Sequence, residues 1–241
     1  MMLRRLFCAQ THLTVPEQFN RNSPTVTSLM TPEQSGAWLL DRLKQRLSIP
    51  TLARKHLLDF GCGVRFSQAI INGKIPIGGY TGVDCFPEMI YFLNAAVWDR
   101  RFSYYVFDAF NPMYNPAGQP LSPETAFPVP KKNFDVITMF SVITHQYPQD
   151  CESIFTILRR HVAPNGHLFF TCFLDDHLST FEDRSSERNA GRCFYGPSYL
   201  TDLVERSGWR VLSTALAEPP LIGDSFLLQP AARKSSVTTF K

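Results

Sequence analysis

Short apolar runs and helical stretches take turns along the middle of this chain, and that alternation is its main structural signal. The first runs fall at His56–Phe60, Tyr80–Val83 and Phe102–Phe107, with helical spacing from Phe66 to about Ile71 and from Pro87 to Trp98 between them. Strands separated by helices of that length pair in parallel through crossovers. They predict a Rossmann-like, doubly wound α/β sheet with helices on both faces. Four more runs bring the count to seven strands: Phe134–Phe140, His167–Phe173, Trp209–Leu216 and Phe226–Gln229. Helices are expected from about Gln149 to Val162, and from Pro197 to Gly208 with proline at the start and glycine just past the end. Pro164-Asn165-Gly166 reads as the turn into the fifth strand.

A packing helix comes before the first strand. Thr31 is its expected N-cap, Pro32 its first residue, and Gln34 closes a capping box. Trp38, Leu39, Leu40, Leu43 and Leu47 then form an apolar face, and Pro50 stops the helix. These boundaries divide the chain into a flexible arm (1–30), one domain (31–230) and a tail (231–241). Two stretches carry no period. Residues 108–133 contain six prolines and read as a surface excursion, with a lid over a site as the alternative. The polar stretch from Asp175 to Gly196 reads as a second loop.

Composition narrows the partners. With 241 residues and 44% hydrophobic content, the chain can bury the core of one ordinary α/β domain. The net charge is +3, and the basic residues come as scattered pairs such as Arg4-Arg5, Arg100-Arg101, Lys131-Lys132 and Arg159-Arg160, which is no footprint for nucleic acid. The six cysteines form no CxxC and read as small hydrophobes in a reducing compartment rather than as metal ligands. No apolar run approaches the roughly 20 residues of a membrane span. The apolar run near Arg4 and Arg5 is too short for a secretory signal, so a soluble, cytoplasmic protein is expected.

The chemistry centres on Leu57-Leu58-Asp59-Phe60-Gly61-Cys62-Gly63-Val64-Arg65. An apolar strand turns here into a helix through two glycines, which tolerate positive φ and bring bare N–H groups to the helix N-terminus. Asp84 ends the second strand, where a carboxylate can accept both hydroxyls of a ribose, and Asp108 ends the third. This ordered set, Asp59, Gly61 and Gly63, then Asp84, then Asp108, resembles the class I S-adenosylmethionine-dependent methyltransferases over about residues 53 to 230, and the small-molecule enzymes among them in particular.

The resemblance implies a seven-stranded, mostly parallel sheet with an antiparallel last strand, and S-adenosylmethionine as cofactor. It implies that the backbone of Gly61, Cys62 and Gly63 meets the methionine end. Asp108, next to Ala109, would accept from the adenine amino group, with Cys85 and Phe86 as walls. Phe140 and Ser141, at the end of the fourth strand, would pass beside the sulfonium. Arg65 departs from the family, which often has a third glycine there; it either pairs with the cofactor carboxylate or points to solvent. Phe66 stands where a nicotinamide enzyme would need a small residue.

Exclusions guide the acceptor. The fourth-strand exit lacks the Asn/Asp-Pro-Pro-aromatic signature of base and glutamine methylation, and no Pro-Cys supplies a cytosine C5 nucleophile. Ser141 stands where a metal-dependent catechol enzyme would want a carboxylate, so Asp175-Asp176-His177 reads as a solvated loop and no metal is expected. An O-methyltransferase acting on a small molecule is the resulting expectation; a methyltransferase-like partner subunit without activity is the alternative. His145 is the candidate base, or else it fixes its loop through a backbone hydrogen bond. His177 and Tyr195 are second choices.

Overall fold

The computed structural model describes residues 10–21, 28–130, 133–184, 192–218 and 223–232. Arg4, Arg5, Cys8, Lys131, Lys132 and most of the C-terminal tail lie outside the described residues. The first helix, α1 (Pro32–Arg46), starts where the capping box predicts: Gln34 N–H donates to Thr31 Oγ1 (3.2 Å) and Thr31 N–H to Gln34 Oε1 (2.9 Å). Two orphan donors are satisfied at once, which fixes the helix start.

The alternation then follows as β1 (Leu52–Phe60), α2 (Arg65–Asn72), β2 (Ile77–Asp84), α3 (Pro87–Ala96), β3 (Phe102–Val106) and β4 (Phe134–Met139). The second half comprises α4 (Pro148–Arg159), β5 (Val162–Leu174), β6 (Phe181–Asp183), β7 (Cys193–Tyr195), α5 (Pro197–Arg206), β8 (Trp209–Ala215) and β9 (Asp224–Pro230). Hydrogen bonding orders seven of these strands β3-β2-β1-β4-β5-β9-β8, parallel except for β9, which runs antiparallel to β5 and β8. From β1 the chain first builds outward through β2 and β3, then crosses to β4 on the other side. The carboxyl ends of β1 and β4 therefore flank a topological switch point, where open α/β sheets bind ligands.

Alternation along β1 divides the core. Leu57 faces a layer with Phe66, Tyr80, Val136 and Leu40, while Leu58 faces another with Ile137, Phe155, Leu200 and Phe226. Burial on both faces explains why β1, β2 and β4 read as continuous apolar runs.

Four expectations change. β5 begins at Val162, and Pro164-Asn165-Gly166 is a bulge inside it: Phe134 pairs with Val162 and Val136 with His167, so β5 takes five steps where β4 takes two. The polar stretch after β5 holds β6 and β7, of which β7 continues the sheet beside Phe173 and Leu174. Residues 10–21, read from sequence as part of a flexible arm, are docked: Leu13 and Phe19 are buried, and Leu13 N–H donates to Asn72 Oδ1 (2.7 Å). The proline-rich connection, finally, folds back on the core, where Val129 is buried and Phe127 packs on Phe60 and Phe107, rather than being thrown outward. Phe110 N–H donates to the Gln119 carbonyl (2.8 Å), and Asn111 and Asn115 exchange backbone hydrogen bonds of 3.0 Å.

Candidate functional site

The turn after β1 adopts the backbone its glycines permit, with φ of 72° at Gly61 and 50° at Gly63. At Gly63 an added Cβ would meet nothing nearer than the Arg21 guanidinium at 3.6 Å, so its open side faces a cavity. That cavity, of about 350 Å³, lies at the carboxyl ends of β1, β2 and β4. Asp59, Gly61, Cys62, Gly63, Arg65, Asp84, Cys85, Ala109, Phe140, Ser141 and His145 all line it.

Asp108 does not. It is exposed, and its carboxylate accepts from Asn115 Nδ2 (3.1 Å) on the outside of the connection, while its neighbours Phe107 and Ala109 face the cavity. The expectation that Asp108 receives the adenine amino group is thus corrected: the strand end is in place, but its side chain turns away. The same connection sends Phe110, Pro112, Met113 and Tyr114 over the cavity, so it covers the site rather than leaving the surface.

Asp59 sits beneath the turn, 3% exposed, with both oxygens occupied: Thr138 Oγ1 donates to Oδ1 (2.7 Å) and Tyr80 Oη to Oδ2 (2.8 Å). Burial pushes its pKa up to about 7; the two hydrogen bonds and Arg65 oppose this, and the charge on Asp84 adds to it. Asp84 is equally buried. Its Oδ1 accepts from Phe86 N–H (3.1 Å), and its Oδ2 from Gly63 N–H (3.0 Å) and from the Arg21 guanidinium (2.7 Å). Burial, followed by the Asp84 charge, pushes the Cys85 thiol up to about 12, so it is a neutral wall.

Arg65 lines the cavity instead of pointing to solvent, and among the described residues its side chain has no salt bridge or hydrogen bond. Desolvation lowers its pKa, and Asp59 partly offsets this. Ser141 takes a left-handed φ of 57°, sparsely populated for a non-glycine residue, and its N–H is anchored on Thr171 Oγ1 (2.8 Å). This kink throws the chain into a short 3₁₀ turn, Ile143–His145, which carries His145 to the cavity with Gln146 behind it.

Neither second-choice base reaches the site. Tyr195 is buried outside the cavity wall and donates to the Gln146 carbonyl, and Cys151 Sγ lies 3.1 Å from its hydroxyl. Burial, then Cys151, raises its pKa far beyond a useful range for a base. His177 is exposed, and its N–H donates to Asp175 Oδ1 (2.9 Å). Asp175 also pairs with Arg184 (2.6 Å). Among the described residues no three His, Cys, Asp or Glu side chains converge as a metal site, and no helix is long and apolar enough to cross a membrane.

Arg21, Phe19 and the Phe110–Tyr114 segment also line the cavity, and sequence reasoning missed them. They lie in stretches without hydrophobic period, where nothing ties a residue to a distant strand end.

A doubly wound sheet with β9 antiparallel, a glycine turn after β1 and a buried acid ending β2 defines the architecture of a class I methyltransferase. A model of the methyltransferase domain matches residues 36–214, and the chain belongs to this family of S-adenosylmethionine-dependent enzymes. Solved structures share the fold at low identity. A Leishmania major S-adenosylmethionine-dependent methyltransferase is 16% identical with a TM-score of 0.58, over 88% of this chain and 80% of its own. The 1,6-didemethyltoxoflavin-N1-methyltransferase of Burkholderia thailandensis, solved with S-adenosylhomocysteine, is 14% identical with a TM-score of 0.55, over 86% and 81%. The glycopeptide N-methyltransferase MtfA, complexed with sinefungin, is 13% identical with a TM-score of 0.56, over 81% and 93%.

The residues present fit S-adenosylmethionine: a glycine cradle open to the cavity, a buried carboxylate at a strand end, and the Arg65 guanidinium beside the turn.

Proposed function

We propose that this methyltransferase methylates an oxygen of a small, largely apolar molecule, with His145 as the general base. The observation that carries this reading is the make-up of the cavity lining. Leu39, Phe110, Pro112, Met113 and Val142 are apolar, Asn111 and Gln146 add polar groups, and His145 is the titratable side chain that the exit of β4 contributes. A mostly apolar lining with a few polar anchors suits a hydroxylated ring or chain; the many hydroxyls of a saccharide would be desolvated against carbon.

The cofactor, when bound, supplies a methyl group on a sulfonium that transfers by in-line displacement. In this reading Asp84 accepts the ribose hydroxyls and the Gly61–Gly63 backbone follows the methionine end. Arg65 pairs with the carboxylate, and Cys85 and Ala109 bound the adenine. Phe140 and Ser141 flank the reacting centre. Alignment and exclusion of water supply most of the rate, and a neutral His145 takes the proton of a hydroxyl that is a weak nucleophile on its own.

The test is an assay with S-adenosylmethionine against a panel of hydroxylated and amino aromatic and aliphatic compounds, with product structure read by mass spectrometry. Products methylated on oxygen are expected. His145→Ala should lower kcat roughly 100-fold or more and leave cofactor affinity unchanged. Methylation on nitrogen alone, or a full rate in His145→Ala, would sink the reading.

A further inference from the structure

The arm before α1 is fastened at three points. Gln10 Nε2 donates to the Ala96 carbonyl (3.1 Å), and Gln10 Oε1 accepts from Trp98 N–H (2.9 Å). Leu13 is bonded to Asn72 at the end of α2, and Phe19 packs on Phe86 and Phe92 with ring centroids 5.8 Å and 5.1 Å away. This fastening delivers Arg21 into the cavity. Its guanidinium lies 2.7 Å from Asp84 Oδ2 and 4.4 Å from the centroid of the Tyr114 ring, which comes from the connection covering the site. The arm and the cover thus meet through one cation.

Counting acceptor sites makes this contact consequential. A carboxylate offers about four lone-pair sites. Gly63 N–H and Arg21 take two on Oδ2, and Phe86 N–H takes one on Oδ1. One site remains, whereas a ribose diol held by Asp84 needs two. The Gly63 and Phe86 N–H groups belong to the turns that build the site and cannot leave. Arg21 is on the arm and can.

We infer that Arg21 is a competitor built into the chain: it occupies the ribose position on Asp84 in the ligand-free protein and must be displaced when the cofactor enters. The inference rests on the assignment of Asp84 as the ribose anchor. Apparent affinity is then the intrinsic affinity reduced by the fraction of protein whose Asp84 is free. The arm, held at its far end by Gln10 and Leu13, loosens at Arg21 each time the site fills. A site tuned this way holds its spent cofactor less tightly than one with an uncontested carboxylate.

Calorimetry with S-adenosylhomocysteine on the full chain tests the competition. Arg21→Ala should bind about tenfold more tightly while the melting temperature of its ligand-free form falls, because Asp84 is left buried without its counter-ion. Gln10→Ala, which loosens the arm far from the cavity, should tighten binding in the same direction by a smaller factor. Hydrogen exchange of the wild-type protein should show residues 10–21 losing protection when the ligand is added. Unchanged or weaker binding by Arg21→Ala, or a gain of protection in the arm, would overturn the competition, and weaker binding would make Arg21 a ligand of the cofactor instead. Asp84→Ala separates the two ideas: if it binds as tightly as wild type, the ribose assignment fails. If it loses affinity while Arg21→Ala gains none, only the competition fails.

Discussion

Asp84 concentrates the chemistry of the site at residue scale. It is 3% exposed and held by two backbone N–H groups, so its oxygens are aimed before any ligand arrives. Hydrogen bonds to a charged group are worth about 1.5–3 kcal/mol each. Losing two should weaken S-adenosylhomocysteine binding by roughly 100-fold or more in Asp84→Ala; affinity within a factor of three of wild type in a calorimetric titration would refute the assignment. Much of this was legible in sequence, because Gly61, Gly63 and Asp84 occupy positions where only a bare backbone or a strand-end acid does the job. Asp108 satisfied the same strand-end rule, yet its side chain turns outward to Asn115, seven residues further along the chain. A strand-end pattern gives the position of a Cα but not the direction of a carboxylate. Arg21 had no sequence signal at all: it reaches Asp84, 63 residues away, only because Gln10, Leu13 and Phe19 find tertiary partners.

At the scale of elements, long periodic segments were readable and short ones were not. α1, β2, α3 and β4 sit within a few residues of their expected places, since capping, proline at the first turn and buried runs are local signals. β6 and β7 are three residues each, too short for any period, and are fixed by pairing with the end of β5. Their consequence for the site is indirect. β7 supplies Tyr195, whose hydroxyl donates to the Gln146 carbonyl and lies beside Cys151 of α4, pinning the turn that carries His145. Tyr195→Phe removes the hydroxyl and leaves the Gln146 carbonyl with only the long contact from Cys151 Sγ (3.9 Å), at a cost of about 1–3 kcal/mol. In a domain of this size each kcal/mol lowers the melting temperature by about 2–4 °C. The variant should therefore melt several degrees lower and show a raised KM for the acceptor, with cofactor affinity unchanged. A melting temperature equal to that of wild type would show that the turn is held without the hydroxyl.

For the whole molecule, the sheet is joined at its centre by a titratable group. Asp59 of β1 bonds Tyr80 of β2 and Thr138 of β4, so one carboxyl links three parallel strands directly under the ligand turn. Its pKa, pushed up to about 7 mainly by burial, lies above the ordinary carboxylate value of the unfolded chain. In the window between the two values the folded state therefore holds a proton that the unfolded state has released. Asp59's contribution to stability is fully present below about pH 4, falls as the pH rises towards 7, and is flat above that. The protonated form can donate to Tyr80 Oη while still accepting from Thr138, so the link itself survives either way. Asp59→Asn cannot ionise and should remove this slope. Across that window, urea denaturation should show wild type losing on the order of 4 kcal/mol relative to the Asn variant. Parallel pH profiles for the two proteins would mean that Asp59 is ionised throughout. In that case Arg65, whose charge opposes the rise at Asp59, would already be balanced by it. A neutral Asp59 instead leaves the Arg65 charge available to an incoming carboxylate, tying the pH response of the fold to that of the site.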